Sequence, residues 1–211
     1  MSSYNRIAGQ RIGRIEALSD GVIAIAMTIL VFDLKLPTTE AFASDGALWK
    51  AMHGLLPKFV AFALAFMTLG IFWTGQAAQF NYMAKYDRHL AWLTILFLAF
   101  VSTIPFVTSV LSLDLTLKSA LLLYWANIVA LGGTLWLHWR YAYKYDLLNI
   151  HQDEATAVNK AIVGRIRTTQ LLYAGAAALC FVSTYLSIAL MFGIQLNYAL
   201  GLDHRPSKKT T

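Results

Sequence analysis

Long apolar runs, separated by short segments that carry most of the charged residues, set the pattern of this chain. A helix that crosses a bilayer needs about 20 mostly apolar residues. Four runs come close to or exceed that length, at residues 15–37, 55–80, 90–113 and 117–139. The pattern therefore predicts four membrane-spanning helices in the first two thirds of the sequence.

A further stretch, residues 168–202, contains no charged residue. A single helix of this length would overshoot the hydrocarbon core, even when tilted. Two shorter helices, over residues 168–182 and 184–202, with a tight turn near Ser183, fit the bilayer better. The polar segment 141–167 is compatible with a helix that extends the fourth span into water or lies at the membrane surface.

The distribution of basic residues favours six spans over five. If both termini are cytoplasmic and the chain crosses six times, its 17 Lys and Arg residues lie on cytoplasmic segments with four exceptions: Lys35, Lys50, Lys58 and Lys118. Cytoplasmic segments are enriched in Lys and Arg, and five spans would move the basic tail outside. The sequence thus predicts an all-α integral membrane protein with six transmembrane helices, a single domain over residues 1–203 and a basic tail over residues 204–211.

Composition excludes most classes of soluble protein. Hydrophobic residues make up 58% of the chain and charged residues 13%, against about 45–50% and about 25% in soluble domains. The membrane topology accounts for the formal net charge of +6, so this charge gives no support to nucleic-acid binding. We interpret the first apolar run as a retained helix, because it contains Glu16 and Asp20 and no small-residue cleavage site follows it.

Three acidic residues, Glu16, Asp20 and Asp33, lie within or at the ends of the first predicted helix. A carboxylate inside a bilayer costs several kcal/mol unless it is paired, hydrated or close to the interface. Glu16 and Asp33 are near enough to the ends to act as interfacial anchors. Asp20 lies between Ser19 and Gly21 in an otherwise apolar helix, and either belongs to a stabilising polar network or marks a functional site.

A stripe of bulky apolar residues follows Asp20 along one face of this helix. Ile23, Met27, Leu30 and Leu34 repeat at intervals of three or four residues, which is the spacing of one helix face. Such a stripe commonly packs against other helices or lipid. If several subunits each contributed such a stripe to a central pore, the apolar side chains would instead form a narrow constriction, of the kind that gates a pore by dewetting.

The order of residues in the first helix resembles the signature of the transmembrane protein 175 family. Residues 14–25 read RIEALSDGVIAI and residues 28–35 read TILVFDLK. The family signature is an Arg, then Phe-Ser-Asp-Gly, Ala-Ile, Thr-Leu-Leu-Val and Asp-Leu. Phe72-Trp73 and Ile104-Pro105-Phe106 match motifs of the second and third helices. The family comprises potassium channels of bacteria and of the endolysosomal membrane.

The resemblance implies a passive, potassium-permeable cation channel. Bacterial members of the family carry one six-helix unit per subunit and assemble as homotetramers, so we expect a homotetramer in the inner membrane of a bacterium. The expected partners are K⁺, other monovalent cations and the lipid bilayer. We expect no cofactor and no metal beyond the permeating K⁺.

The resemblance also assigns roles to single residues. Ile23 forms the narrowest ring of the pore, with Met27 and Leu30 one and two turns further out. Trp73 of the second helix joins the polar residues of the signature in a network that holds the pore helix in place: Arg14, Ser19 and Asp20. From its position, Asp33 is expected at the outer mouth, with Asp114 on a nearby loop.

Two departures from the family pattern bear on these roles. A His usually follows the second-helix Trp by about one turn, whereas this chain has Gln76, which we expect to take its place in the network. Some members carry a small hydroxyl residue one turn beyond the constriction, where this chain has Ala26. Because Thr28 is expected on a different face, and because the chain has no TVGYG-like filter, we expect a weak to moderate preference for K⁺ over Na⁺.

The sequence leaves two alternatives open, a non-conducting structural protein of the membrane and a secondary transporter of a small cation or solute. Transporters often have broken helices and a polar site near the membrane midplane. Here Asp20 is the acid furthest from the span ends, and Gly132-Gly133 is a pair that more often permits close helix packing. A membrane enzyme is not expected, because the five His residues are scattered and no HExxH or GxSxG motif is present.

Overall fold

The computed structural model describes residues 12–35 and 44–201, which fold into helices joined by short loops. These ranges contain seven α-helices. They are α1 (Ile12–Ile29), α2 (Asp45–Gly54), α3 (Leu56–Phe80), α4 (Arg88–Leu113), α5 (Lys118–Lys144), α6 (Gln152–Ala178) and α7 (Thr184–Leu200). Short 3₁₀ turns, Leu30–Asp33 and Leu179–Phe181, follow α1 and α6.

In the described part of the chain, four helical segments are long and apolar enough to cross a membrane. They are Ile12–Asp33, Leu56–Phe80, Arg88–Leu113 and Lys118–Lys144. α7 is apolar but has 17 residues, and α6 has a polar first half. The chain is therefore an all-α, multi-pass membrane protein, as the hydrophobic pattern predicts.

Local capping explains where several helices begin. The Asp87 side chain accepts a hydrogen bond from the backbone N–H of Leu90 over 2.9 Å at the start of α4. Ser183 accepts from the N–H of Leu186 over 3.4 Å at the start of α7. Both residues satisfy backbone donors that a helix start leaves without an intrahelical partner. The uncharged stretch is thus divided just before α7, after the 3₁₀ turn that ends α6.

The structure differs from the sequence prediction in two segments. α2 occupies part of the loop before α3, where the sequence predicts no helix. The prediction misses α2 because this helix contains only three bulky apolar side chains, those of Leu48, Trp49 and Met52. The polar segment 141–167 is shared between two helices. Its first residues end α5, and residues from 152 onward form the first half of α6, which continues into the apolar stretch.

Some predicted features lie outside the described residues. These are the N-terminal basic residues Arg6 and Arg11, the end of the first span at Pro37, and the tail over residues 204–211.

The helices pack around one main apolar core. α3, α4, α5 and α6 pack in succession, α1 lies against α3 and α4, and α7 lies against α3 and α6. Fully buried residues at the centre include Leu64, Val101, Ile104, Leu121 and Met191. A smaller apolar cluster around Trp139 and Leu90 lies at the end where α1 begins. Among the described helices, the core therefore leaves one side of α1 without a partner helix.

The α3–α4 and α5–α6 loops meet beside this smaller cluster. The backbone N–H of Asn149 donates to the carbonyl of Tyr82 over 2.8 Å, and that of Ala84 donates to Leu147 over 3.1 Å. The hydroxyl of Tyr141 donates to Asp87 Oδ2 over 2.6 Å. These bonds tie the ends of four helices together, so this end of the bundle is closed by polar contacts as well as by packing.

Candidate functional site

α1 buries one face against α3 and α4. The buried side chains recur every three or four residues, as one helix face requires. They are Ile15, Ser19, Ile23, Ala26 and Leu30. This periodic burial fixes the rotation of α1 about its own axis, and so determines which residues face away from the subunit.

The fixed rotation places the predicted pore residues inside the subunit. Ile23 and Leu30 are each 2% exposed and Ala26 is 3% exposed, all within the core of their own subunit. Met27 is half-buried and packs against the same core. A side chain enclosed by its own subunit does not face a passage between subunits. The assignment of Ile23 and Leu30 to pore rings, and of Ala26 to the position next to them, stays a prediction, and the burial of these side chains favours a different face of α1 for the pore.

A different apolar face of α1 is exposed. We name it the outward stripe, and it consists of Leu18, Ile25, Ile29 and Phe32. Ile25 is 60% exposed and Phe32 is 66% exposed. Because residues 12–35 and 44–201 leave these side chains largely uncovered, they are available to face lipid or another subunit.

Small residues line the flank of the outward stripe. Ala17, Gly21, Ala24 and Thr28 are all exposed, and their spacing of four, three and four residues places them on one face. Small side chains let helix backbones approach closely inside membranes. We name this face the small-residue stripe, and it is suited to contact with a second helix.

Thr28 belongs to this exposed region. Its hydroxyl donates to the carbonyl of Ile25 over 2.8 Å, which leaves the hydroxyl oxygen free to accept or to contact a cation. The prediction placed Thr28 on a different face from the constriction because it counted from Ile23. Counted from Ile25, Thr28 lies one turn further along, where the small-residue stripe borders the outward stripe.

The structure brings two residues of the predicted polar network together. The indole Nε1 of Trp73 donates to Asp20 Oδ1 over 2.8 Å and so joins α1 to α3. The predicted partner Ser19 instead donates to the carbonyl of Ile15 over 3.0 Å. Within the described ranges, no hydrogen bond connects Arg14 or Gln76 to Asp20; Gln76 is 2% exposed and lies in the core. Asp20 and Trp73 thus form the joint between the helices.

The acidic residues that lie beyond the C-terminal end of α1 are each tied to a hydroxyl group. Asp33 is half-buried, and its Oδ1 accepts a hydrogen bond from Ser109 of α4 over 3.3 Å. Asp114 accepts from the hydroxyl and the backbone N–H of Thr116, over 2.7 and 2.8 Å. These two bonds lower the pKa of Asp114 below its ordinary value, so the loop keeps a negative charge at neutral pH.

Two polar clusters in the subunit core have no counterpart in the sequence analysis. Thr68 Oγ1 contacts the Tyr124 hydroxyl and accepts from Gln195 Nε2, each over 2.7 Å. Gln79 contacts His138 Nδ1 over 2.8 Å, about one helical turn of α3 from Gln76. These pairs lie 56 or more residues apart in sequence, so a pattern along the chain gives no sign of them.

The site shows no sign of a metal-binding cluster. Across residues 12–35 and 44–201, no three His, Cys, Asp or Glu side chains come close enough to hold a metal ion together. The candidate site is therefore a surface: the apolar outward stripe, the small-residue stripe beside it, and the Asp20–Trp73 joint that fixes their orientation.

Comparison with known proteins places the chain among potassium channels. The family model described as "Endosomal/lysosomal potassium channel TMEM175" matches residues 14–105, which include all of the stripe residues. A potassium channel from Chamaesiphon minutus is 31% identical over 191 residues, covering 89% of this chain and 93% of that protein. A potassium channel from Streptomyces collinus is 39% identical over 100 residues, and the match spans 47% of each protein.

The fold has a counterpart among solved structures. The crystal structure of a lysosomal potassium-selective channel TMEM175 homologue from Chamaesiphon minutus superposes with a TM-score of 0.77 and 28% sequence identity. The superposition covers 92% of this chain and 98% of that one. The similarity thus extends over the whole helical bundle, well beyond the signature helix.

Proposed function

The chain belongs to the TMEM175 family of potassium channels, and we propose that it conducts K⁺ passively through a central pore lined by the outward stripe of α1. It is a channel protein and not an enzyme. Similarity to channels over 93% of a relative's length disfavours the secondary transporter. The observation that carries the proposal is the exposure of Ile25, Ile29 and Phe32 on a helix held firmly on its other side.

A single subunit leaves α1 on its surface, so a pore needs several copies. We propose a homotetramer in which four α1 helices surround the central axis. The small-residue stripe supports this arrangement, because Gly21 and Ala24 would let neighbouring α1 helices approach while the outward stripe turns toward the axis. The buried Ile23 face would remain against α3 and α4 of its own subunit.

The narrowest ring is proposed at Ile25. It lies near the middle of the described helix, between Gly21 and Thr28, whose smaller side chains leave it as the bulkiest group at that level. Ile29 and Phe32 would form wider apolar rings toward the outer end. A ring of this kind controls permeation by excluding water when it narrows.

Ion preference is proposed to arise at Thr28. The expectation of a weak to moderate preference for K⁺ over Na⁺ rested on Ala26, which is buried. Thr28 supplies an exposed hydroxyl one turn from Ile25. Four such hydroxyls would offer oxygen contacts to a cation that loses its water. The proposal therefore retains a weak to moderate preference for K⁺ over Na⁺, with other monovalent cations also able to permeate.

The Asp20–Trp73 bond is proposed to hold α1 at the rotation that presents the outward stripe. Asp33, tied to Ser109, is proposed to lie beside the outer mouth and to raise the local concentration of cations. Neither carboxylate is assigned a direct contact with the ion in the narrow part of the pore.

The topology completes the proposal. Six crossings of a bacterial inner membrane, with both termini in the cytoplasm, keep most basic residues on the cytoplasmic side. α6 and α7 would supply the last two crossings, and α2 would lie at the outer surface. The channel domain would extend over residues 1–203, and the tail over residues 204–211 would remain cytoplasmic.

Ion flux from liposomes tests the pore face. We expect Ile25→Ala to increase K⁺ flux and to reduce the preference for K⁺ over Na⁺, because it widens the ring. Ile23→Ala is the matched control, since the same side chain is removed two residues away in the core. It should keep the wild-type preference and lower stability by roughly 2–5 kcal/mol.

Ile23→Val serves where the alanine variant does not fold. If the ion preference changed in the Ile23 variants and stayed at the wild-type value in Ile25→Ala, the pore would be lined by the Ile23 face and not by the outward stripe. Absence of K⁺, Na⁺ and Cs⁺ flux from liposomes that hold the wild-type tetramer would contradict conduction altogether. Native mass spectrometry of the same preparation should give four times the subunit mass.

A further inference from the structure

A cleft opens between α3, α5, α6 and α7 and shares no residue with α1. Its volume is about 590 Å³, within the 300–1,000 Å³ typical of ligand pockets. It borders the face of the bundle that the proposed pore does not use. The cleft is therefore a candidate binding site that conduction leaves unexplained.

The wall of the cleft has two chemically distinct parts. One part is apolar and includes Ile71, Phe72, Leu135, Ile162 and Ile166. The other part carries polar side chains and one cation: Gln79, Arg165, Thr168, Thr169, Gln170 and Asn197. Among the described residues that line the cleft there is no Asp or Glu. A ligand that fits both parts has an anionic end and an apolar end.

Arg165 is held in a position suited to an anion. Its guanidinium carbon lies 5.8 Å from the centre of the Tyr198 ring, and that ring is fixed by a 2.7 Å hydrogen bond between its hydroxyl and Thr169. Among the described residues, no carboxylate forms an ion pair with Arg165. A guanidinium group that is oriented by an aromatic ring and has no carboxylate partner can bind two oxygens of a phosphate group at once.

The cleft lies where the chain passes from polar to apolar sequence. Arg167 is the last charged residue before the uncharged stretch that completes α6 and forms α7. Arg165 and Thr168 are therefore at the level where a bilayer changes from headgroups to hydrocarbon, while Ile71 and Leu135 belong to membrane-length helices. A soluble anion would leave the apolar wall uncovered, whereas a lipid would cover both parts.

We propose that this cleft binds an anionic phospholipid, with the headgroup phosphate on Arg165 and one acyl chain along the apolar wall. Basic pockets between transmembrane helices on the cytoplasmic side commonly bind lipid headgroups. The assignment to the cytoplasmic leaflet rests on the proposed topology. The binding itself depends neither on that topology nor on ion conduction.

Lipid retention measured by native mass spectrometry tests the proposal without any flux measurement. The purified full chain is exposed to phosphatidylglycerol, to phosphatidylcholine and to inorganic phosphate. We expect selective retention of phosphatidylglycerol, and a loss of about tenfold in its apparent affinity in Arg165→Gln. Arg167→Gln is the matched control, because it removes the same charge two residues away, outside the cleft lining, and should retain the wild-type affinity.

A second variant tests whether the lipid needs the volume of the cleft, independently of the charge of Arg165. Ala161 is exposed at the rim of the cleft, and Ala161→Phe should block lipid entry while leaving helix packing intact. Equal losses in the Arg165 and Arg167 variants, or equal retention of both lipids, would overturn the proposal. So would competition by inorganic phosphate alone, which would mean a soluble-anion site, or a change in subunit number in Ala161→Phe, which would mean that a second copy of the chain covers the cleft.

Discussion

The indole of Trp73 on α3 donates a hydrogen bond to the carboxylate of Asp20 on α1 over 2.8 Å. The two residues lie 53 positions apart in sequence, and both are exposed on the surface of the single subunit. The bond acts beside the outward stripe and resists rotation of α1. It therefore connects the acidic residue of the signature to the face that the proposed pore requires.

Trp73→Phe should weaken this joint while keeping an aromatic ring in place. A hydrogen bond to a charged group contributes about 1.5–3 kcal/mol when it is shielded, and the 44% exposure of Trp73 reduces the expected loss to about 1 kcal/mol. Thermal unfolding of the purified protein measures the loss, and liposome flux should fall with it. Trp92→Phe, on an indole of α4 that is 60% exposed, is the control and should change neither quantity.

Thr28→Ala should reduce the preference for K⁺ over Na⁺. Loss of a hydroxyl contact worth about 1 kcal/mol corresponds to about a fivefold change in relative permeability. Thr28→Ser keeps the hydroxyl and should restore most of the preference. Reversal potentials under K⁺ and Na⁺ gradients give the ratio, and an unchanged ratio in Thr28→Ala would remove Thr28 from the proposed selectivity mechanism.

The membrane class and several helix boundaries follow from the sequence because they depend on local chemistry. Apolar runs of bilayer length predict α3, α4 and α5, and the length limit on a single span predicts a break in the final uncharged stretch. The structure has that break beside Ser183, whose side chain caps α7. Each of these features is encoded within one continuous stretch of the chain.

The rotation of α1 does not follow from its own sequence. Apolar residues occur on every side of the helix, so a periodic pattern fits Ile23 and Met27 as well as it fits Ile25 and Ile29. Packing against α3 and α4 selects the buried face, and this information lies in those helices. The contact between Gln79 and His138 cannot be predicted from sequence for the same reason. Each residue lies inside a separate apolar run, and neither run indicates which residue of the other helix it contacts.

Thr116→Val should destabilise the α4–α5 loop in a pH-dependent way. The pKa of Asp114 is lowered in the folded protein by its bonds to Thr116, so the ionised form adds stability above the unfolded pKa. That stability is lost as pH falls through the folded pKa. The difference in unfolding temperature between wild type and Thr116→Val should be constant above about pH 5 and should shrink below 3.8, the ordinary value of the group.

The control for this loop is Asp114→Asn, in which the titrating group is removed. Thr116→Val in that background should have a penalty that does not vary with pH. A pH-dependent penalty that persists without Asp114 would assign the effect to another carboxylate.

Substitution by alanine should affect the stability of the protein differently at Gly132 and at Gly133, which are neighbours on α5. A Cβ on Gly132 would collide with the side chain of Gln170 on α6, whereas the space around Gly133 is open. Gln170 donates to the carbonyl of Ile128 over 3.1 Å, so its displacement costs a hydrogen bond as well as packing. Both substitutions gain similar helix propensity, and the difference between them isolates the contact.

We expect Gly132→Ala to be less stable than Gly133→Ala by about 1–3 kcal/mol, measured by thermal or denaturant unfolding in detergent. Adding Gln170→Ala to Gly132→Ala removes the colliding side chain and should bring the two glycine variants close together. Equal stability of the single variants would mean that Gln170 moves aside freely, and that the close approach of α5 and α6 does not depend on Gly132.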